Sequence, residues 1–196
     1  MLKIGITGNM GSGKTTVSKL FELMGIPVFY ADEAAKSIMV TDEVLIKEIK
    51  TAFGPEAYFD NGALNRKHIA GIVFNNNAQL ARLNSLVHPA VFRAFDSWVK
   101  QVKGVPYILK EAALLFESDS YKLCDKTIMV TAPLDIRVKR VMLRDGLSEE
   151  EILKREANQF TEEKKTGLSD FVIKNDNAEL VIPQVLKLHE LFLSMT

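Results

Sequence analysis

The sequence predicts an α/β fold, a parallel sheet of about five strands covered by helices on both faces. Three observations carry that expectation. The chain opens as strand, glycine-rich loop, helix, strand. Further short apolar runs at 107–111, 126–130 and 171–173 alternate with longer helical stretches. Apolar residues make up 47% of the 196 positions, enough for a proper core.

Taken in order, Leu2 to Ile6 places isoleucine at alternate positions and reads as a buried strand. From Lys14 onward Val17, Leu20, Phe21 and Met24 fall at helical spacing, and Gly25 stands where a helix C′ glycine belongs. Pro27 to Tyr30 reads as a second strand. Residues 32–103 read as mostly helical, broken by FGPEAYFDNGAL, with His88-Pro89 between helical stretches and the proline in a first turn. Tyr107 to Phe116 has strand character around Ile108 and Leu109. Lys126 to Val130 is another strand. Residues 134–165 are charged and helical, with a break at Asp145-Gly146-Leu147 and a capping-box pattern at Ser148 and Glu151. Phe171 to Ile173 is a short strand, and 178–195 a last amphipathic helix. The stretches 32–103 and 134–165 read as insertions on a core made of 1–31, 104–133 and 166–196.

Lysine plus arginine total 25, as do aspartate plus glutamate. A formal charge of zero gives no global pull toward nucleic acid or an anionic membrane. No apolar run approaches the ~18 residues of a membrane span, and the N-terminus lacks a secretory h-region. Cys124 is the one cysteine, so no intrachain disulfide forms; it reads as a small buried hydrophobe. A cytoplasmic protein is the expectation, as a monomer or a weak homo-oligomer.

The chemistry concentrates at Gly8-Asn9-Met10-Gly11-Ser12-Gly13-Lys14-Thr15, which fits G-x-x-x-x-G-K-[ST]. Glycines let the backbone turn with positive φ and bring N–H groups close to an anion. The helix that follows adds unpaired N–H groups and its positive end. Lys14 reaches β- and γ-phosphates, and the Thr15 hydroxyl suits Mg²⁺. The match lies between a predicted strand and a predicted helix, the context such a loop requires. The guanine-reading N-K-x-D and the D-x-x-G of GTPase switches are both missing from the sequence, which leaves a small phosphoryl-transfer kinase as the leading class.

Such an enzyme needs an acceptor site, a second carboxylate near Mg²⁺ and a cationic lid. Asp32 follows the second strand, at the carboxyl edge where ligands bind. There it serves either to orient an attacking hydroxyl or to cap the helix after it. Glu111 reaches the same edge, as a holder of a Mg²⁺-bound water or as a solvated strand-end charge. Glu117 is less informative. Arg137, Arg140 and Arg144 fall at i, i+3 and i+7, one helix face; that face either closes over ATP or is simply solvated. Arg66 follows the turn Asp60-Asn61-Gly62 and meets an anionic substrate or water. A lone His88 with no ligand cluster is usually structural.

With these residues in place the chain resembles the dephospho-CoA kinase family over nearly its whole length. The stretches are IGITGNMGSGKTTVSKLFELMGIPVFYADEAAK, GALNR, LNSLVHPAV, EAALLFE, RVKRVMLRDGLSEEEILKREANQ and DFVIKN. The resemblance implies transfer of the ATP γ-phosphoryl group to the ribose 3′-hydroxyl of dephospho-CoA, the last step of coenzyme A synthesis. It implies a three-layer P-loop kinase core with a helical substrate-binding insertion and a short lid. It also implies roles for particular residues. Gly11, Ser12, Gly13, Lys14, Thr15 and Thr16 go to the ATP phosphates, with Thr15 toward Mg²⁺. Asp32 becomes the acceptor-side carboxylate. Arg66, His88 and Glu111 go to the substrate side, Arg140 and Arg144 to the lid, and Asn175 to the nucleotide. This chain departs from the family at Tyr30, where aspartate is common, at Lys36, where arginine is common, and at Glu111-Ala112-Ala113, where D-x-P is common. Two rivals are a kinase of the same core acting on another small acceptor, such as a nucleoside monophosphate, and a non-catalytic ATP-binding regulator.

Overall fold

Five strands form one parallel sheet in the order β2-β3-β1-β4-β5. They are β1 (Leu2–Thr7), β2 (Val28–Tyr30), β3 (Tyr107–Glu111), β4 (Lys126–Thr131) and β5 (Phe171–Lys174). The structure is a computed structural model and describes residues 1–74 and 76–196. Ile4 stands opposite Leu109 on one side and Lys126 on the other; Tyr30 stands opposite Glu111. The chain crosses from β1 to one side of itself and later to the other, so the strand order reverses at β1. Ligands of open α/β sheets bind at that switch, beyond the carboxyl ends of the strands, and the glycine loop leaves β1 there.

One sheet face is the main core. Ile4, Ile6, Leu109, Ile128, Val130 and Ile173 point to it by the two-residue alternation of strands. They pack on Val17 and Phe21 of α1 (Lys14–Leu23) and on Val185, Leu188 and Phe192 of α9 (Val181–Ser194). Gly25, with φ +82°, follows the C-cap of α1. The other face is closed by the chain after β3. A Cβ at Gly5 would lie 2.8 Å from Leu115 Cδ2 and 3.1 Å from Cys124 Sγ, so the glycine makes room for that segment. Strand β3 stops at Glu111, short of Phe116, because the chain turns: Ser118 N–H donates to Leu114 O, and Asp119 takes φ +59°. Cys124 is half-buried, and burial pushes its thiol up to about 11.

The chain divides into two units, residues 1–30 with 102–196, and residues 31–101. The second is helical: α2 (Ala31–Thr41), α3 (Glu43–Phe53), α4 (Arg66–Val73) and α5 (Asn77–Gln101). The Asp42 carboxylate caps α3 by accepting from Val44 and Leu45 N–H, and Arg93 of α5 pairs with it at 3.1 Å. FGPEAYFDNGAL supplies a short 3₁₀ turn, Pro55–Ala57, and a Tyr58–Leu64 bridge. Pro89 corrects the expectation of a helix boundary. It lies inside the 25-residue α5. Its missing N–H costs one helical hydrogen bond, while Val87, Ala90, Val91 and Phe95 are buried on either side of it. Packing of that face outweighs the local preference.

The charged stretch gives α6 (Leu134–Asp145), α7 (Glu149–Glu156) and α8 (Glu162–Leu168). Gly146 ends α6 at φ +68°, and Ser148 with Glu151 forms the reciprocal capping box that opens α7. Thr131, at the end of β4, donates to Glu162 at the start of α8.

Candidate active site

The loop after β1 is shaped by glycine. Gly11 and Gly13 have φ +82° and +90°, a region costly for residues with a Cβ. Gly13 is the N-cap of α1 and no side chain caps the helix. The first-turn N–H groups of α1 therefore keep their positive end open toward the loop.

Glu111 joins the loop to β3. It is 5% exposed. Thr15 donates its hydroxyl to Glu111 Oε2 at 3.0 Å, and Lys14 Nζ lies 3.8 Å from Oε1. Beside it Tyr30 donates its hydroxyl to Glu22 Oε2 at 2.9 Å. Burial, with Glu22 and the Glu111 charge adding to it, holds the Tyr30 phenol well above its usual range, so it stays a neutral donor.

The three arginines of α6 do not act as one face. Arg137 is 5% exposed and belongs to the interior. It donates to Ala132 O at 2.9 Å and Met10 O at 3.2 Å, and pairs with Glu156 at 2.8 Å and Glu162 at 3.4 Å. Arg140 donates to Gly11 O at 3.4 Å, to Asn175 O at 2.9 Å and to Asn177 Oδ1 at 2.7 Å. Arg144 is exposed at the end of α6 and makes a two-pronged pair with Asp145, both contacts 2.8 Å. Asn175, just past β5, donates Nδ2 to Ser12 O at 2.8 Å.

A charged network lies under the loop. Asn9, 1% exposed, donates to Glu156 Oε1 at 2.7 Å and to Phe160 O at 3.2 Å. Lys165 of α8 is fully buried; it pairs with Glu117 at 3.0 Å and donates to Ala113 O at 2.8 Å. Glu117 also accepts the Phe160 N–H at 2.8 Å. Burial pulls the Lys165 ammonium below its ordinary range, with Glu117 working the other way.

Of the residues singled out in the sequence, the structure brings together Gly11 to Thr15, Glu111, Arg140 and Asn175. Thr16 is exposed in the first turn of α1, and Arg144 turns to its own neighbour. Asp32, Arg66 and His88 belong to the helical unit. Asp32 is exposed in the first turn of α2, which begins one residue before it, so it is not the cap itself. Arg66 is the exposed first residue of α4, after the capping Asn65. His88, inside α5, stacks on Phe92 with ring centroids 6.4 Å apart. Sequence reasoning missed Asn9, Glu156 and Lys165. The first occupies a free position of the motif, and the others lie in runs of charge that read as solvated helix faces.

Residues 2–180 match the family model described as dephospho-CoA kinase. The chain belongs to the dephospho-CoA kinase family. Relatives bearing that name include one from Bacteroides fragilis, 40% identical over 187 residues, covering 95% of this chain and 91% of the relative. Another, from Chlorobium chlorochromatii, is 38% identical and covers 96% and 92%. Among solved structures, TT1252 from Thermus thermophilus superimposes with a TM-score of 0.85 at 37% identity, covering 97% of this chain and 96% of that one. The dephospho-CoA kinase from Campylobacter jejuni gives 0.67 at 26%, covering 96% and 95%. Among the described residues no helix is long and apolar enough to cross a membrane, and no group of three or more His, Cys, Asp or Glu is placed to hold a metal.

Proposed function

We propose that this kinase carries the γ-phosphoryl group of ATP to the ribose 3′-hydroxyl of dephospho-CoA, with the triphosphate held by residues Gly11 to Thr16. Membership of the family and its fold support the reaction; the geometry around Glu111 supports the division of labour. A hydroxyl and a carboxylate 3.0 Å apart, at the mouth of an uncapped helix, are oxygen donors of the kind a hard cation takes. Thr15 would hold Mg²⁺ directly and Glu111 through water, and the ion would supply neutralisation of the charge between the phosphates. The single observation that carries the proposal is this Thr15–Glu111–Lys14 grouping beside the glycine loop.

The protein's own part is positioning and charge. Lys14 meets the negative charge that spreads over the transferred group. Asp32, two residues past β2, accepts or orients the proton of the attacking hydroxyl. Arg66 and His88 are assigned to the acceptor side. Arg144 is the lid cation free to leave an exposed partner, whereas Arg140 acts from where it stands. The protein works in the cytoplasm, as a monomer or weak homo-oligomer. Purified protein, ATP and dephospho-CoA should give ADP and a 3′-phosphorylated product, read by mass spectrometry. Turnover only with a different acceptor, or ATP binding with no acceptor-stimulated ADP, would replace this proposal with one of its two rivals.

A further inference from the structure

Three consecutive carbonyls of the glycine loop are held from outside it. Met10 O accepts from Arg137 Nη1 at 3.2 Å, Gly11 O from Arg140 Nη1 at 3.4 Å, and Ser12 O from Asn175 Nδ2 at 2.8 Å. A trans peptide is a rigid plane whose C=O and N–H point opposite ways. A donor on Met10 O therefore aims the Gly11 N–H to the other side, and a donor on Ser12 O does the same for Gly13. The N–H between them, that of Ser12, closes the turn on Asn9 O at 3.0 Å. The two glycine amides face away from the clamp, and the middle one stays inside the loop.

The glycines lie flush against the residues that supply these donors. A Cβ at Gly13 would sit 2.2 Å from Asn175 Nδ2, and one at Gly11 would sit 2.4 Å from Arg137 O. The donors are themselves fixed to the end of β4. Asn175 N–H donates to Thr131 O at 2.8 Å, and Arg137 Nε donates to Ala132 O at 2.9 Å. Arg137 is further locked by Glu156 and Glu162, and Glu156 also holds Asn9 of the loop.

Resting on the assignment of nucleotide phosphates to this loop, we propose that Arg137 and Asn175 are positioning residues that aim the Gly11 and Gly13 amides at those phosphates. They work through the backbone. Asn175 then needs no contact with the nucleoside, and Arg137, buried and paired with Glu156 and Glu162, needs none with ATP. Each residue controls its own amide: Arg137 that of Gly11, Asn175 that of Gly13.

The test uses inorganic tripolyphosphate, which has phosphates and no base, with the full-length ¹⁵N-labelled protein. In the wild type both glycine amide signals should move on titration. Asn175→Asp keeps the side-chain size, removes the donor and sets an oxygen against Ser12 O. It should weaken tripolyphosphate binding about tenfold, the worth of one such hydrogen bond, and abolish the Gly13 response while sparing Gly11. Arg137→Lys keeps the buried charge between its glutamates and should affect Gly11 alone. Thermal melts without ligand identify any variant that fails to fold, and Asn175→Ala serves as a second variant at that position. Unchanged tripolyphosphate affinity in Asn175→Asp, with weaker ATP binding, would place Asn175 on the nucleoside and overturn the inference. Wild-type glycine amides that ignore tripolyphosphate would overturn the phosphate assignment itself.

Discussion

Replacing Lys165 by Met tests whether the charged network under the loop holds the fold together. Lys165 is fully buried, and the side chain of its partner Glu117 is 12% exposed. Besides the 3.0 Å pair, the ammonium donates to Ala113 O, the carbonyl that also receives the Thr7 hydroxyl at 3.3 Å. Methionine fills the stem's volume and donates nothing. Among the described residues it leaves the Glu117 carboxylate with the Phe160 N–H, and Ala113 O with the distant Thr7 hydroxyl. Stranding one member of a buried pair costs about 3–5 kcal/mol. For a chain of this size each kcal/mol lowers Tm by about 2–4 °C, so a drop on the order of 10 °C is expected by calorimetry, with a matching loss in urea. The double variant Lys165→Met/Glu117→Gln removes the stranded charge while the amide oxygen still accepts from Phe160; it should recover most of the loss. A single variant within 1 °C of wild type, or a double variant no better than the single, would refute the account of a pair held by mutual neutralisation.

Four further outcomes are expected. Asp32→Asn should lower kcat about 10²–10⁴-fold while ATP binding survives in calorimetric titration; near-normal turnover removes Asp32 from the mechanism. Gly13→Ala forces a Cβ to φ +90° and onto Asn175 Nδ2, so it should cost about 1–2 kcal/mol from the backbone alone and weaken ATP binding besides. Glu111→Gln removes the charge beside Thr15 and Lys14, and should raise the Mg²⁺ concentration needed for half-maximal rate; an unchanged Mg²⁺ titration separates Glu111 from the metal. Lys110, 1% exposed, has its ammonium pulled by burial to about 8 from an ordinary 10.5. Between those values the unfolded chain holds more protons, so this group makes stability rise with pH, by up to about 3 kcal/mol. Cys124, pushed from 9.0 to about 11, acts in the opposite sense. Lys110→Met should therefore gain stability over wild type near pH 7.5, with the gain shrinking toward pH 10.5 in urea titrations; a constant gap contradicts the shift.

Much of the core was legible because its signals are local. Alternating isoleucines mark β1, helical spacing after Lys14 marks α1, and the glycine motif needs no partner elsewhere in the chain to be seen. The order β2-β3-β1-β4-β5 was not legible, since strand neighbours are set by packing among residues a hundred positions apart. Pro89 misled for the same reason: a local breaker yields when the face it interrupts is buried on both sides. Arginine spacing on α6 gave the face but not the fate of each side chain. Arg137 and Arg144 differ because one meets half-buried glutamates from α7 and α8 and the other, exposed at the end of α6, pairs with Asp145. Lys165 lies in EEKKTGL, where nothing in the composition distinguishes the buried lysine from its exposed neighbour Lys164.

The two departures from the resemblance at the sheet edge bear on one another. Tyr30 and Glu111 are opposite each other in the register of β2 and β3. Aspartates at both positions, the pattern the resemblance implies, would set two carboxylates side by side, where they repel. Here a neutral phenol replaces one of them, turned toward Glu22 and kept protonated by its surroundings. The remaining carboxylate has one more methylene, and with it meets Thr15 and Lys14 together. The Tyr30–Glu111 pair thus carries one negative charge, on the longer arm. Shortening that arm alone, in Glu111→Asp, draws the carboxylate back from the Thr15 hydroxyl by roughly one methylene, about 1.5 Å by ordinary bond lengths. Its kcat should fall while thermal stability holds. Restoring the second carboxylate as well, in Tyr30→Asp/Glu111→Asp, should recover part of that rate if the two positions work as a unit. A double variant slower than Glu111→Asp would show instead that Tyr30 has a role of its own.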